Sequence, residues 1–518
     1  MKIVAAFLFS LSLLSLGPWA ALGEAGGSCT HGKLYLFDNT TSTVHIIDIS
    51  EGMLENLTVE TTVELPDESA GGLVVYGSPS DPLLVQYRGG EPLFDGFVRV
   101  IDTGFSFENG QVSYAAPSIV ENANIDDCHR PVHQVHHESR IAIFCDGAFD
   151  AEPQINTTIH VIDETKFGSG SESAVVQSVT LPGTHHGVAI PVDDGHLLHS
   201  IALDDRVNRV SEASSLPSTF QVIDLEGNVL HELSNISNPD THCAGFHGSA
   251  AMNNTFALAC DDVHGGIVIV EFDPVASAFT SRAVLYPDET KFDGFRVGSL
   301  AYHEKNSHFV GSYALSEGTE FHLLSFTPAT KVLDESNLLT LPGEARECAY
   351  NFEVGSGEHV YVFMPNGVLH VFEITNGIFS QVAEQEIVPG MTACSEGVFV
   401  PGIQQAFVAV PATSTLYAID LSHVGHGGSM KVYESTLPFT PVGMTVSGFT
   451  LDAACQEYDH DHEDTEGHDH DHEDTEGHDH DHEDNEVTGR TSSNESTSGA
   501  GKVSTIDVVV MVALVFSI

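Results

Sequence analysis

The feature that most constrains the fold of this chain is a segment that returns every 46 to 59 residues. Each copy contains two short strand-like runs separated by a turn of polar residues or glycine. The copies are "GGLVVYGSPSDPLLVQYRGG" (71–90), "CHRPVHQVHHESRIAIFCDG" (128–147), "THHGVAIPVDDGHLLHSIAL" (184–203), "CAGFHGSAAMNNTFALACDD" (243–262), "FRVGSLAYHEKNSHFVGSYA" (295–314), "CAYNFEVGSGEHVYVFMPNG" (348–367) and "CSEGVFVPGIQQAFVAVPAT" (394–413). Such a period indicates repeats that share one continuous core, not several independent domains.

Two further strands are predicted after each copy. The third is a β-branched run such as "TTIHVID", "STFQVID" or "STLYAID", and the fourth is more polar and ends before Pro or Gly, as in "VVQSVTLPG". No segment shows a sustained helical period. Four antiparallel strands per repeat predict an all-β fold, a single β-propeller of eight four-stranded blades, with seven blades as the alternative.

The two ends of the repeat region complement each other. Near the N-terminus, "GKLYLFDN", "STVHIIDIS" and "TVETTVELP" match the second, third and fourth strands of the repeat, but no first strand precedes them. The missing strand is matched by "PVGMTVSGFT" at 441–450. We therefore predict that a C-terminal strand joins the N-terminal blade, and that residues 24–456 form one domain.

Eight cysteines, an even number, suggest four disulfides in a secreted protein. Cys29 and Cys455 flank the expected closure of the domain, so we predict that they are bonded. Two further pairs share one spacing, and each is predicted to join the first and second strands of a blade. The two cysteines that remain would link neighbouring blades. These pairs are Cys128 with Cys145, Cys243 with Cys260, and Cys348 with Cys394.

Both termini of the sequence have the composition of targeting signals. Residues 1–23 hold one Lys and an apolar run that ends among small residues, which indicates a secretory signal peptide. Residues 501–518 end in an apolar run too short to span a bilayer and are typical of a GPI-attachment signal, preceded by a linker at 487–500. The sequence also contains N-glycosylation sequons at Asn39, Asn56, Asn156, Asn235, Asn253 and Asn494. We therefore expect a secreted glycoprotein that is anchored at the cell surface by a lipid.

The charge balance of the chain excludes one class of partner. The sequence has 18 Lys+Arg against 74 Asp+Glu, a formal net charge of −56. Such a field repels nucleic acid and anionic lipid and gathers cations. No nucleic-acid function is expected, and the membrane is expected to be reached only through a lipid anchor.

Histidines recur at one level of the repeat, where the turn enters the first strand. Aligning "HHGVA", "FHGSA" and "SEGVF" on their glycine places His186, His247 and Glu396 at one position, with His133 of "RPVHQVHH" beside them. The first strands of a propeller line its channel, so these side chains should converge. Three imidazoles with an oxygen or water ligand form a typical zinc set. The alternates in the same turns are His129, His136, His185, His242, Asp126 and Asp127.

A low-complexity tract at 457–486 alternates imidazoles with carboxylates, as in "GHDHDHEDTE". Unprotonated imidazoles in such runs bind divalent metals loosely. An acidic spacer that holds the domain off a membrane is a second interpretation of the same residues. The tract histidines that we predict to bind metal are His460, His462, His468, His470, His472, His478, His480 and His482.

The segments "CHRPVHQVHHESRIAIFCDG", "HHGVAIP" and "FHGSA" resemble those of the AztD-type zinc metallochaperones of the bacterial periplasm. The resemblance covers about residues 30–455 and implies a β-propeller that binds zinc through histidines at its channel mouth. It further implies delivery of zinc to the solute-binding protein of a transporter, with His133, His186 and His247 as ligands. The C-terminal tract, the sequons and the lipid-anchor signal depart from that pattern and leave the recipient open.

The sequence thus predicts a non-enzymatic surface protein that captures Zn²⁺ for buffering or for delivery to a transporter. Cu²⁺ and Ni²⁺ bind the same donors, so the ligands alone do not select the metal. One alternative is a zinc-dependent hydrolase in which Glu396 or Glu347 acts as base. The other is an adhesion or ligand-binding propeller, since the propeller fold hosts unrelated functions.

Overall fold

The computed structural model describes residues 30–38, 41–49, 57, 59–65, 73–77, 83–87, 96–108, 111–148, 151–167, 172–202, 216–234, 243, 245–260, 266–284, 295–303, 308–315, 321–331, 333, 338–341, 348–352, 359–401, 405–422, 424 and 429–450. Several predictions lie outside these residues: the signal peptide, the histidine tract, the linker and the anchor signal, and those on Cys29, Cys455, His242, Glu347, Asn39, Asn56, Asn235 and Asn494. Asn156 and Asn253 are described and exposed, and their glycosylation stays a prediction.

The described residues form eight four-stranded antiparallel sheets, numbered I to VIII here, in agreement with the repeat. Sheets I and II contain β1 (Thr30–Asp38), β2 (Thr43–Asp48), β3 (Val59–Glu64), β4 (Leu73–Gly77), β5 (Leu83–Tyr87), β6 (Phe97–Asp102), β9 (Ser118–Ile119) and, at the end of the chain, β34 (Pro441–Thr450). A separate hairpin consists of β7 (Phe105–Glu108) and β8 (Gln111–Tyr114).

The six remaining sheets each take four consecutive strands. Sheets III to V contain β10 (Pro131–His137), β11 (Arg140–Cys145), β12 (Thr158–Asp163), β13 (Val175–Thr180), β14 (Ala189–Pro191), β15 (His196–Ile201), β16 (Thr219–Asp224), β17 (Val229–Ser234), β18 (Phe246–Met252), β19 (Thr255–Cys260), β20 (Ile267–Asp273) and β21 (Ala278–Val284). Sheets VI to VIII contain β22 (Phe295–His303), β23 (His308–Leu315), β24 (Phe321–Phe326), β25 (Leu338–Thr340), β26 (Ala349–Phe352), β27 (His359–Phe363), β28 (Val368–Thr375), β29 (Ile378–Glu386), β30 (Val398–Pro401), β31 (Gln405–Val410), β32 (Thr415–Asp420) and β33 (Lys431–Thr436).

Helical structure in the described ranges is confined to four single turns of 3₁₀ helix, at Glu121–Ala123, Glu164–Lys166, Cys394–Glu396 and Pro411–Thr413. None of the helices in these ranges has the length and apolar character needed to cross a membrane.

The predicted exchange of strands between the two ends of the domain is confirmed. β34 pairs with β1 along its whole length, from Thr30 opposite Thr450 to Asp38 opposite Pro441. Sheet I therefore has the order β3-β2-β1-β34 and ties the end of the described chain to its beginning.

Apolar clusters lie between consecutive sheets because the inner strands are buried on both faces. On β11, Ile141 and Ile143 pack toward sheet II, whereas Ala142 and Phe144 pack toward sheet IV, as the two-residue period of a strand requires. Every consecutive pair of sheets from I to VIII shares such a cluster. A further cluster joins sheet VIII to sheet I, where Phe407 meets Leu34 and Met444.

Three of the four predicted disulfides fall within the described residues, and all three are present. Cys128–Cys145 and Cys243–Cys260 join the segment just before the first strand to the end of the second strand in sheets III and V. Cys348–Cys394 links sheet VII to the turn before sheet VIII. The first two disulfides therefore brace the segments that enter β10 and β18.

Candidate metal centre

Three histidines from three consecutive sheets meet at one place. His133 lies on β10, His186 lies three residues before β14, and His247 is the second residue of β18. Their side chains are half-buried, and one ring nitrogen from each lies within 4.8 Å of the other two. The ring centroids are 4.8 Å apart for His133 and His186, 5.2 Å for His133 and His247, and 5.1 Å for His186 and His247. We call these residues the three-histidine cluster.

Irregular strand pairing directs these side chains toward one another. The register of β10 with β11 shifts between Pro131 and His133, and that of β18 with β19 shifts between Phe246 and Ser249. A bulge turns a side chain out of the regular alternation of a strand, and bulges are frequent beside functional sites. His133 and His247 both lie at such shifts, so local breaks in two ladders create the cluster.

Hydrogen bonds fix the orientation of two of the imidazoles. His186 Nδ1 lies 3.1 Å from Asp146 Oδ2, and His247 Nδ1 lies 2.7 Å from the carbonyl oxygen of Gly298. Because both acceptors require an N–H donor, Nδ1 is the donor in each ring, and a neutral ring that donates from Nδ1 has its lone pair on Nε2. Partners of this kind orient metal-binding histidines and raise their basicity.

The spacing of two of these nitrogens is close to that of two ligands of a tetrahedral zinc ion. His133 Nε2 and His186 Nε2 are 3.0 Å apart. Two nitrogens bound to one Zn²⁺ at 2.0–2.1 Å in tetrahedral geometry are about 3.3 Å apart. A shift of a few tenths of an ångström therefore converts this contact into a pair of metal ligands.

Asp146 is the outer partner that the sequence did not single out. Its side chain is 1% exposed, and it directly follows Cys145, which is bonded to Cys128. The Asp146 amide donates to the Arg130 carbonyl at 3.1 Å, which continues the β10–β11 ladder past the disulfide. The only signal in the sequence was an acidic residue immediately after the second cysteine of "CHRPVHQVHHESRIAIFCDG".

Replacing Asp146 by Asn should weaken zinc binding by about 10- to 100-fold, because it removes the charge that holds His186 in its ligand tautomer. The measurement is the dissociation constant of Zn²⁺ from competition with a chromophoric chelator. Asp194→Asn serves as the control, because Asp194 is exposed and pairs with Arg140. Equal affinities of the two variants would contradict a role for Asp146.

Glycines beside two of the histidines allow the sheets to approach closely. A Cβ on Gly187 would lie 2.4 Å from Ser200 Oγ and 2.7 Å from Phe144 Cζ. A Cβ on Gly248 would lie 2.5 Å from the carbonyl oxygen of Gly298, the same atom that accepts from His247. Close contacts therefore explain why both "HHGVA" and "FHGSA" have glycine, the residue without a Cβ, after the histidine.

Several alternate candidates have other partners. His136 Nε2 lies 2.9 Å from Glu164 Oε2, and His160 Nε2 lies 3.9 Å from an oxygen of Asp127. His185 is buried beside Phe144, with its ring 5.6 Å from the phenyl ring.

The remaining alternates also lie outside the group of three ligand atoms. Asp126 is exposed and pairs with Arg99 at 2.9 Å, and His129 is half-buried with its carbonyl accepting from Gly147. Within the residues that the structure describes, the three-histidine cluster is the one group of three such ligand atoms, and none of these alternates belongs to it.

Glu396, the carboxylate aligned with the histidines, bonds within its own turn. Its oxygens accept from the Thr392 amide at 2.8 Å and from Thr392 Oγ1 at 3.0 Å, and these bonds lower the pKa of Glu396. It does not join the cluster, because the 3₁₀ turn Cys394–Glu396 directs the carboxylate back to Thr392.

Two buried histidines near the cluster should make stability depend on pH. Burial lowers the pKa of His185 and of His199 to about 4, from an ordinary value of 6.5. Between pH 6.5 and 4 the unfolded chain therefore binds more protons than the folded chain. The stabilisation is complete above about pH 6.5 and is lost as the pH falls toward 4, by about 3 kcal/mol per histidine at 1.36 kcal/mol per pH unit.

The test is the denaturant midpoint at pH 7 and at pH 4.5 for the wild type and for His199→Gln, which does not titrate. The variant should lose less stability over this interval. An equal loss in both proteins would show that His199 does not carry the effect.

The fold and the site together define a class: an all-β protein of four-stranded antiparallel sheets with a candidate metal centre of three imidazoles. No protein-family model matches the chain. The zinc chaperone AztD of Citrobacter koseri is 24% identical over 379 residues, which cover 72% of this chain and 76% of that protein.

Solved structures show the same likeness. The crystal structure of Citrobacter koseri AztD matches with a TM-score of 0.63 and 18% identity over 82% of this chain and 99% of that one. The structure of apo AztD from the same organism gives a TM-score of 0.62 and 19% identity over the same shares. The chain is therefore an AztD-type relative, which confirms the resemblance that its histidine-bearing segments indicated.

Proposed function

We propose that this protein is a non-enzymatic zinc carrier, which captures Zn²⁺ at the three-histidine cluster and buffers it or delivers it to a recipient. The observation that carries the proposal is the convergence of three ring nitrogens within 4.8 Å. The name of its relative, a zinc chaperone, supports the same conclusion.

The proposed ligands are Nε2 of His133, His186 and His247, with the fourth position open to water or to a donor from outside. His133 and His186 already bring their Nε2 atoms to 3.0 Å, and the Nδ1 atoms of His186 and His247 are held by Asp146 and Gly298. Three imidazoles also suit Cu²⁺ and Ni²⁺, so we propose zinc because the relative is a zinc chaperone.

We further propose that the eight sheets close into a β-propeller. The apolar clusters between consecutive sheets, together with the cluster between sheets VIII and I, support a closed ring. In such a ring the starts of the first strands surround one mouth, which places the cluster at that mouth.

Release of zinc follows from the same donors. An incoming ligand of the recipient enters the open position, and the imidazoles leave one at a time by ligand exchange. Because a protonated imidazole cannot bind metal, acidification toward pH 6 favours release. The half-buried side chains allow a recipient to reach the ion without unfolding of the sheets.

The remaining parts of the proposal concern the segments beyond the sheets. We propose a secreted, glycosylated protein held at the cell surface by a lipid anchor at its C-terminal signal. The histidine tract at 457–486 would collect divalent metal near the domain, and a zinc transporter or another metal-binding protein would receive it.

The experiment is a zinc titration of the mature secreted chain, beside a variant in which all eight histidines of the tract, His460 to His482, are replaced by Asn. Competition with a high-affinity chelator separates a tight site from loose ones. One zinc retained by the tract variant with unchanged affinity supports the proposal. Loss of all tight zinc in that variant would leave the cluster without a function.

A further inference from the structure

Arg130 lies against the carboxylate that orients His186. Its Nε is 3.9 Å from Asp146 Oδ2, the same oxygen that lies 3.1 Å from His186 Nδ1. One carboxylate oxygen therefore stands between a permanent cation and a candidate metal ligand. The Asp146 side chain is 1% exposed and that of Arg130 is 25% exposed, so water screens this contact only in part.

The backbone holds Arg130 in this position. Its φ is +56°, in the left-handed region that few residues other than glycine adopt, and its carbonyl accepts from the Asp146 amide at 3.1 Å. The Cys128–Cys145 disulfide encloses the same pair of segments. Arg130 and Asp146 are therefore fixed relative to each other before any metal arrives.

We propose that Arg130 lowers the zinc affinity of the three-histidine cluster to a level that permits transfer. This inference rests on the proposed function and concerns the regulation of the same site. The guanidinium attracts the negative charge of Asp146, so less of that charge reaches His186, and the ring becomes a weaker donor. The guanidinium also repels the arriving Zn²⁺ directly, because both carry positive charge.

The direction of this effect distinguishes it from an ordinary structural role. If Arg130 only held Asp146 in place, its removal would loosen His186 and weaken zinc binding. If Arg130 moderates the charge on Asp146, its removal strengthens zinc binding and slows release. The two roles predict opposite signs for one substitution.

The experiment measures the zinc dissociation constant and the rate of release to excess chelator for three variants of the full chain. Arg130→Gln removes the charge and should lower the dissociation constant by about tenfold and slow release. Arg130→Lys keeps the charge and should stay close to the wild type. Both variants keep a Cβ, so the strain at φ +56° is unchanged. Arg140→Gln is the matched control, since Arg140 pairs with Asp163 and Asp194 at the other end of β11.

The dependence of the zinc affinity on ionic strength is a second measurement, and a purely structural role of Arg130 would not affect it. The difference between the wild type and Arg130→Gln should shrink as ionic strength rises, because it arises from charge. Affinity that is unchanged or weakened in Arg130→Gln, with tight zinc in the wild type, would overturn the inference alone. Absence of tight zinc in the wild type would overturn the proposed function and this inference with it.

Discussion

Alanine at His133, His186 or His247 should each weaken zinc binding by more than about 100-fold, the upper end of what losing an outer partner of a metal ligand costs. Each substitution removes one of three imidazole donors that the sheets hold in place, and two imidazoles alone do not form a tight zinc site. The triple variant should retain no tight zinc. The measurement is chelator competition in the background that lacks the histidines of the tract, so that only the cluster is observed.

The control for this series is His322→Ala, which removes an imidazole remote in sequence from the cluster. His322 lies on β24 and hydrogen-bonds Thr340 Oγ1 at 3.0 Å, and it is not part of the cluster. Its removal should leave the zinc affinity unchanged. If all three cluster variants bound zinc like the wild type, the metal centre would have to be sought elsewhere.

Gly248→Ala should destabilise the protein and abolish tight zinc binding together. The new Cβ would lie 2.5 Å from Gly298 O and 2.8 Å from the Cα of Ser299, both backbone atoms that a side-chain rotation cannot move. β18 and β22 would have to separate, at a cost of about 1–3 kcal/mol for such overpacking. The same displacement moves the carbonyl that holds His247.

The measurements for Gly248→Ala are the denaturant midpoint of the metal-free protein and its zinc affinity. Gly195→Ala is the comparison, because a Cβ there meets only Asp193 Oδ1 at 3.7 Å. It should alter neither quantity appreciably. A Gly248→Ala protein with unchanged midpoint and unchanged affinity would show that sheets V and VI can shift without disturbing the centre.

Strand order was predictable from the sequence because the repeat copies share both spacing and alternation. The two-residue period of a strand then determines which side chains face each neighbouring sheet, as Ile141 and Ile143 on one face of β11 and Ala142 and Phe144 on the other show. The absence of a first strand near the N-terminus was sufficient to predict the pairing of β34 with β1.

The cluster itself was predictable because equivalent positions of a repeat lie at equivalent heights. His186 and His247 were aligned on the glycine that follows each of them, and the structure brings them together with His133. Glu396 satisfied the same alignment, but hydrogen bonds to Thr392 keep it within its own turn. Alignment of the repeats predicts the position of a residue in the backbone, whereas local hydrogen bonds determine the direction of its side chain.

The supports of the cluster could not be predicted in the same way. Asp146 follows β11 and Gly298 lies on β22, and both are brought to the histidines by the irregular register of β10, β18 and β22. A bulge has no marked signature in a single sequence, because it depends on which residue of the partner strand fails to pair. A backbone carbonyl such as that of Gly298 is also present in every residue, so the sequence gives no sign of which one accepts a hydrogen bond.

The pairing of β34 with β1 also determines where the C-terminal end of the described chain lies relative to the metal centre. Thr450, the last described residue, lies opposite Thr30 at the finish of a first strand, whereas the histidines lie where first strands start. In the proposed ring these positions belong to opposite openings. Whatever is joined to Thr450 would therefore be joined at the opening that does not hold the metal centre, and the three histidines would stay open to ions and recipients at the other.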